Sequence, residues 1–184
     1  MPIPVLDGNR VLVVPLDWGL GHATRCIPII KQLLEQKKKV MLGGCGSSGT
    51  LLKTAFPQIP FIEFPAYAPR YSPKRNMYWS MLFQSPRFFK TIRRENKFVA
   101  RVIKEHSIDT VISDNRYGLY NKNVYTIFIT HQLFIRAGIF SRMVKRINHG
   151  YIRKYNQCWV PDYENIAQSL SGELSHGKHA LQNV

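Results

Sequence analysis

A valine-rich apolar run, Arg10–Leu16 (RVLVVPL), breaks directly into Asp17-Trp18-Gly19-Leu20-Gly21-His22, and this junction constrains the fold more than any other stretch. An apolar run without polar alternation suits a strand covered on both faces, as inside a parallel sheet flanked by helices. Beyond the glycines, Ile27, Ile30, Leu33 and Leu34 recur at helical spacing across Ala23–Gln36, which predicts a helix with one buried stripe. A second strand follows at Lys39–Leu42, then a Gly/Ser turn over 43–49 and a short helix to about Ala55. Ile59–Phe64, bracketed by Pro57, Pro60 and Pro65, reads as a third strand. Strand, helix, strand, helix, strand is the repeat of an α/β domain built on a Rossmann-like, doubly wound, mostly parallel sheet.

The remainder continues the pattern. A basic, aromatic-rich helical region spans Asn76–Glu105, with an interruption expected at Ser85-Pro86 because proline cannot donate within a helix. Further strands are expected at Ile108–Ser113, Val124–Thr130 and Cys158–Val160. Phe140, Val144, Ile147, Tyr151 and Tyr155 form one apolar helix face. The 184 residues suffice for one well-buried domain, expected over 1–165, with 166–184 as a tail or the start of an interdomain linker. Cys26, Cys45 and Cys158 match no disulfide or zinc spacing and read as reduced thiols. The first residues lack a signal-peptide pattern, and no run approaches the roughly 20 apolar residues of a membrane span. The expected location is cytoplasmic.

In an open doubly wound sheet, ligands bind beyond the carboxyl ends of the strands, where the strand order reverses. With the order 3-2-1-4-5, the loops Asp17–His22 and Asp114–Gly118 open onto that crevice, and Thr130-His131-Gln132 lies close by. Gly19 and Gly21 permit close backbone approach, and the helix that follows offers free N–H groups to phosphate or another oxyanion. Arg25 could add a fork of donors. The same glycines equally suit a purely structural tight turn. A dinucleotide fingerprint needs a third glycine where Thr24 stands, and the second strand ends Leu42-Gly43-Gly44-Cys45 without an acid, so an NAD site is not expected. His22 is placed to take a proton from a hydroxyl, with Asp114 orienting it. The competing reading makes His22 a helix-start residue bonded to backbone, and Asp114 a turn former before Asn115.

The run Trp18–Arg25 (WGLGHATR) after a buried strand resembles the first loop of GT-B glycosyltransferases. The likeness is to the bacterial branch related to the lipid II-forming N-acetylglucosaminyltransferase (glycosyltransferase family 28-like). Further matches follow in order: a Pro-Ala-Tyr loop with Tyr71, Ile112–Tyr120 (ISDNRYGLY), Ile129–Leu133 (ITHQL) and Cys158–Asn165 (CWVPDYEN). The resemblance implies the N-terminal, acceptor-side half of a two-domain enzyme that transfers a hexosyl or N-acetylhexosaminyl group from a nucleotide-sugar, UDP-linked, to a lipid-linked or envelope glycan. It implies His22 as general base, Asp114 as its partner, and no metal. Substrate or phosphate contacts are implied for Gly19, Leu20, Gly21, Thr24, Arg25, Asn115, Arg116, Tyr117, His131, Gln132 and Tyr71. The donor-binding C-terminal domain is not expected within the chain, so its partner would be such a domain or a separate donor-binding subunit.

Charge adds a second expectation. Lys and Arg number 26 against 11 Asp and Glu, a net charge of +15. Residues 69–105 hold ten Lys and Arg against two Glu, and residues 131–154 hold six with no acid. Between Asn76 and Ile103 the cations interleave with more apolar groups than one helix face buries, which suits peripheral contact with an anionic membrane, the inner face of the plasma membrane. A helical hairpin packed on the sheet is the competing reading. A nucleic-acid-binding or scaffold protein would use the same charge but leaves the glycine loop unexplained and lacks a reader motif. The non-catalytic subunit of a split glycosyltransferase is the other alternative.

Overall fold

The computed structural model describes residues 3–67, 77–135, 141–163, 168–177 and 179–184, with backbone alone over 77–85. Six parallel strands form one sheet: β1 Arg10–Pro15, β2 Lys39–Gly44, β3 Phe61–Glu63, β4 Thr110–Asp114, β5 Tyr125–Ile129 and β6 Gln157–Trp159. Their spatial order is β3-β2-β1-β4-β5-β6, so the order reverses between β1 and β4. Among the described residues, four α-helices cover the sheet: α1 Leu20–Glu35, α2 Gly46–Ala55, α3 Met77–His106 and α4 Ser141–Ile152. This is the doubly wound, Rossmann-like arrangement.

The valine run explains why β1 is central. Side chains alternate across a strand, so Val11 and Val13 face one way and Leu12 and Val14 the other. The first pair joins Ala23, Ile30 and Leu33 of α1 and Leu52 of α2. The second pair joins Val99 and Val102 of α3, Leu119 and Phe128. All four β1 side chains are fully buried.

The elements depart from sequence expectation in three places. First, α1 begins at Leu20, so Gly21 and His22 belong to its first turn rather than to a loop. Gly19, with φ +86°, makes the sharp strand-to-helix turn that places them there. Second, α3 runs through Pro86 without a break. Pro86 is exposed, where water can take the carbonyl that the ring leaves without an amide. From Pro86 onward α3 is plainly two-sided: Ile92, Glu95, Val99, Val102 and Ile103 are buried, Phe88, Phe89 and Phe98 are half-buried, and the cations point outward. The excess of exposed aromatic groups expected there is absent from this part of the helix. Third, residues 179–184 of the stretch read as a tail pack back on the sheet edge. Leu181 is buried, and Asn183 accepts from the Cys158 amide and donates to Ile152 O and Tyr155 O. The Asp162 carboxylate gathers the Ser169 and Ser175 hydroxyls and the Leu170 and Tyr163 amides, which hold it well below the usual carboxylate range. Asn148, near the end of α4, donates to Gln132 O and so fixes the loop after β5.

All three cysteines are buried free thiols. Among the described residues, no helix is long and apolar enough to cross a membrane.

Candidate functional site

Asp114 closes β4 opposite Pro15 of β1 and Ile129 of β5, at the carboxyl edge where the strand order reverses. Its carboxylate is fully buried. A buried anion is tolerated only when paired and hydrogen-bonded, and here the partners come from the first turns of α1. Arg25 Nε donates to Oδ2 at 2.9 Å, and Arg25 Nη2 donates to Oδ1. His22 Nδ1 lies 3.1 Å from Oδ1, and the Cys26 thiol lies 3.8 Å from Oδ2. Burial, and then the neighbouring Asp114 charge, push the Cys26 thiol well up, so it stays protonated. Three of five consecutive helix positions, 22, 25 and 26, thus meet one carboxylate because residues three and four apart share a helix face.

The third loop joins through the same arginine. Arg25 Nη1 lies 3.1 Å from His131 Nδ1, just beyond β5, and Arg25 Nη2 lies 3.1 Å from His22 Nδ1. Burial first, and then the positive Arg25 and the neighbouring His22, hold His131 below the ordinary imidazole value. The result is a cluster of His22, Arg25, Asp114 and His131, drawn together by the sheet from the start of α1, the end of β4 and the loop after β5. His22 and Arg25 side chains retain 15% and 22% exposure, which leaves the cluster open on one side.

Other residues hold the glycine loop in place. Ser48 Oγ lies 3.0 Å from Leu16 O and 2.8 Å from Gly19 O, so its hydroxyl is shared between two loop carbonyls. The Tyr67 amide donates to Asp17 Oδ2 at 3.1 Å. A side chain built on Gly21 would meet nothing within 4 Å, so the space over the first turn of α1 is open to a ligand. Leu20 is exposed, and the Thr24 hydroxyl donates to Gly21 O. Trp18 Nε1 and Asn115 Oδ1, in the two loops bordering the crevice, are buried without a partner among the described residues.

Not every sequence candidate faces the crevice. Arg116 is fully buried and turned inward: it donates to Glu95 Oε1 through Nε and to Pro65 O through Nη2. Its place in the Asp114–Gly118 loop and the family resemblance suggested a ligand contact, but its charge belongs to the Glu95 carboxylate. Tyr117 packs among Phe88, Phe128 and Tyr151, with its hydroxyl donating to Asn148 Oδ1 at 2.9 Å. Tyr71 lies outside the described residues. Glu95 was not a candidate from sequence, although it organises the whole loop after β4. It accepts from Arg116, the Tyr67 hydroxyl and the Gly118 amide, while neighbouring Asn96 donates to Gly118 O and Tyr120 O. The available signal was its position: an acid at helical spacing between Ile92 and Val99, on the apolar stripe of an otherwise basic helix. Among the described residues, no group of three or more His, Cys, Asp or Glu side chains is placed to hold a metal.

No family model matches the chain. A Methanosarcina mazei protein described as an uncharacterized glycosyltransferase is 27% identical over 171 residues, covering 84% of this chain and 44% of that protein. The crystal structure of SsfS6, a Streptomyces glycosyltransferase, superposes with a TM-score of 0.54 at 13% identity, over 78% of this chain and 44% of that one. Acinetobacter baumannii MurG superposes with a TM-score of 0.50 at 16% identity, over 82% and 40%. The chain therefore has a GT-B-like half-fold shared with glycosyltransferases, together with weak sequence similarity to one of them. It spans less than half the length of the relative it matches.

Proposed function

We propose that this chain is the acceptor-side half of a nucleotide-sugar-dependent glycosyltransferase, with His22 as the general base. The observation that carries the reading is the contact between His22 Nδ1 and a fully buried Asp114, at the carboxyl edge between β1 and β4. Donating Nδ1–H to Asp114 leaves a lone pair at Nε2, on a ring that reaches solvent. The acceptor hydroxyl gives its proton to His22 Nε2 while its oxygen bonds the anomeric carbon of the sugar. The nucleoside diphosphate, UDP in this proposal, leaves with the bonding pair. Asp114 stabilises the imidazolium formed, and Arg25 pairs with Asp114 through two hydrogen bonds. The first turn of α1 and the unpartnered Trp18 Nε1 and Asn115 Oδ1 offer polar contacts for the acceptor. The donor sits on a second unit, a further domain or a separate subunit. The transferred group is a hexosyl or N-acetylhexosaminyl residue, and the acceptor is a lipid-linked or envelope glycan. Transfer of radiolabelled sugar tests this: these residues alone should give no turnover, and a donor-binding unit should restore it. Robust transfer by these residues alone contradicts the proposal.

The outer face of α3 supports contact with an anionic membrane, where a lipid-linked acceptor would reside. Arg87, Lys90, Arg94, Lys97, Arg101 and Lys104 step by three or four and are all exposed. They make a straight stripe roughly 25 Å long. Among the described residues none of the six is ion-paired. The aromatic side chains of this part of the helix face inward, so the attraction is electrostatic and sensitive to salt. The protein should co-sediment with phosphatidylglycerol vesicles at low salt and detach as salt rises. Equal binding to phosphatidylcholine vesicles, or no binding to either, removes the membrane from the proposal.

A further inference from the structure

Hydrogen-bond roles within the cluster go beyond the choice of a base. Arginine has five donors and no acceptor at any attainable pH. Any imidazole nitrogen bonded to Arg25 must therefore be bare. His131 Nδ1 lies 3.1 Å from Arg25 Nη1, so the neutral ring carries its proton on Nε2. The case of His22 is different, because its Nδ1 is 3.1 Å from both Asp114 Oδ1 and Arg25 Nη2. A carboxylate is a far stronger acceptor than a neutral imidazole, and Nη2 already donates to Asp114 Oδ1. The arrangement that satisfies the buried carboxylate most fully puts the proton on His22 Nδ1 and directs it at Asp114.

We propose that the Arg25–Asp114 pair holds the two crevice imidazoles in opposite neutral tautomers, His22 with a bare Nε2 and His131 with a protonated Nε2. His22 then presents a proton acceptor and His131 a hydrogen-bond donor. Resting on the acceptor-activation reading, this assigns His131 the recognition of an oxygen on the bound sugar substrate and makes Arg25 a positioning residue. The environment of His131 agrees: burial and the positive Arg25 favour its neutral form, and the carboxylates of Asp114 and Asp162 oppose this more weakly. Arg25 does this from inside the site, with its fork closed on Asp114 and the His131 ring.

Ring nitrogen chemical shifts report the tautomer without any need for turnover. In the full chain labelled with nitrogen-15 histidine, at slightly alkaline pH where imidazoles are neutral, long-range proton–nitrogen correlations separate bare from protonated nitrogens. Single His22→Gln and His131→Gln variants assign the two rings. The expected result is a bare Nε2 in His22 and a bare Nδ1 in His131. Arg25→Lys keeps a cation for Asp114 but loses the fork, so His131 should shift to averaged values while His22 keeps its form. The same tautomer in both rings of the unmodified protein, or an unchanged His131 in a folded Arg25→Lys variant, overturns the proposal. The unmodified protein supplies the primary result, so a variant that fails to fold leaves the proposal testable. Opposite tautomers in a protein that transfers no sugar would overturn the glycosyl-transfer reading alone.

Discussion

Asp114→Asn is expected to reduce sugar transfer by up to about ten-thousand-fold, measured as kcat on protein supplied with a donor-binding unit. The loss follows from hydrogen-bond polarity rather than from shape. Asparagine is nearly isosteric with aspartate, but its amide nitrogen can only donate. Turned toward His22, that nitrogen requires a bare Nδ1 and so moves the proton to Nε2, where the base must be free. Turned away, the amide oxygen still accepts from His22 but gives no charge to stabilise the imidazolium. Arg25 meanwhile loses its counter-ion. Its side chain is 22% exposed and can turn partly to water, so the folding cost stays below the roughly 3–5 kcal/mol of a fully buried broken pair. A large fall in kcat with a modest fall in Tm is the expected signature. A kcat within tenfold of the unmodified protein would remove Asp114 from the mechanism.

The largest expected effect on stability belongs to Glu95→Ala, away from the reacting groups. Glu95 and Arg116 side chains are both fully buried and bonded through Arg116 Nε. Deleting the carboxylate leaves a guanidinium with no counter-ion in the core, and strands the Tyr67 hydroxyl and the Gly118 amide. Breaking one side of such a pair costs about 3–5 kcal/mol, which for a chain of this length lowers Tm by roughly 6–20 °C. Denaturant and thermal unfolding measure it directly. Glu95→Leu combined with Arg116→Met should recover much of the loss, because an apolar pair leaves no buried charge behind. A Glu95→Ala variant within about 1 kcal/mol of the unmodified protein would show that Arg116 finds another partner.

The contrast between Glu95 and the valine run explains what was legible in the sequence. Strand and helix periods are local, so RVLVVPL and the Ile27–Leu34 stripe identify β1 and α1 from a few residues. The reversal of strand order follows from the general behaviour of such sheets, and with it the approach of Asp17–His22, Asp114 and His131. Pairing of charges is not local. Arg25 and Arg116 both belong to segments expected at the crevice, and only the fold shows that Asp114 takes one and Glu95 the other. The ends of helices were read less well for a related reason. Gly19 and Gly21 have low helix propensity, yet an open first turn tolerates glycine, and α1 starts at Leu20. Pro86 similarly signals a break by its chemistry, which exposure on the outer side of α3 allows the helix to absorb.

His22→Gln tests the account most directly. Glutamine keeps a polar side chain in the first turn of α1 but has no group that can take a proton near neutral pH. Sugar transfer by the protein supplied with its donor-binding unit should fall by about 100- to 10,000-fold in kcat, with KM for the acceptor and Tm little changed. Undiminished kcat in a folded His22→Gln variant would contradict acceptor activation at this site.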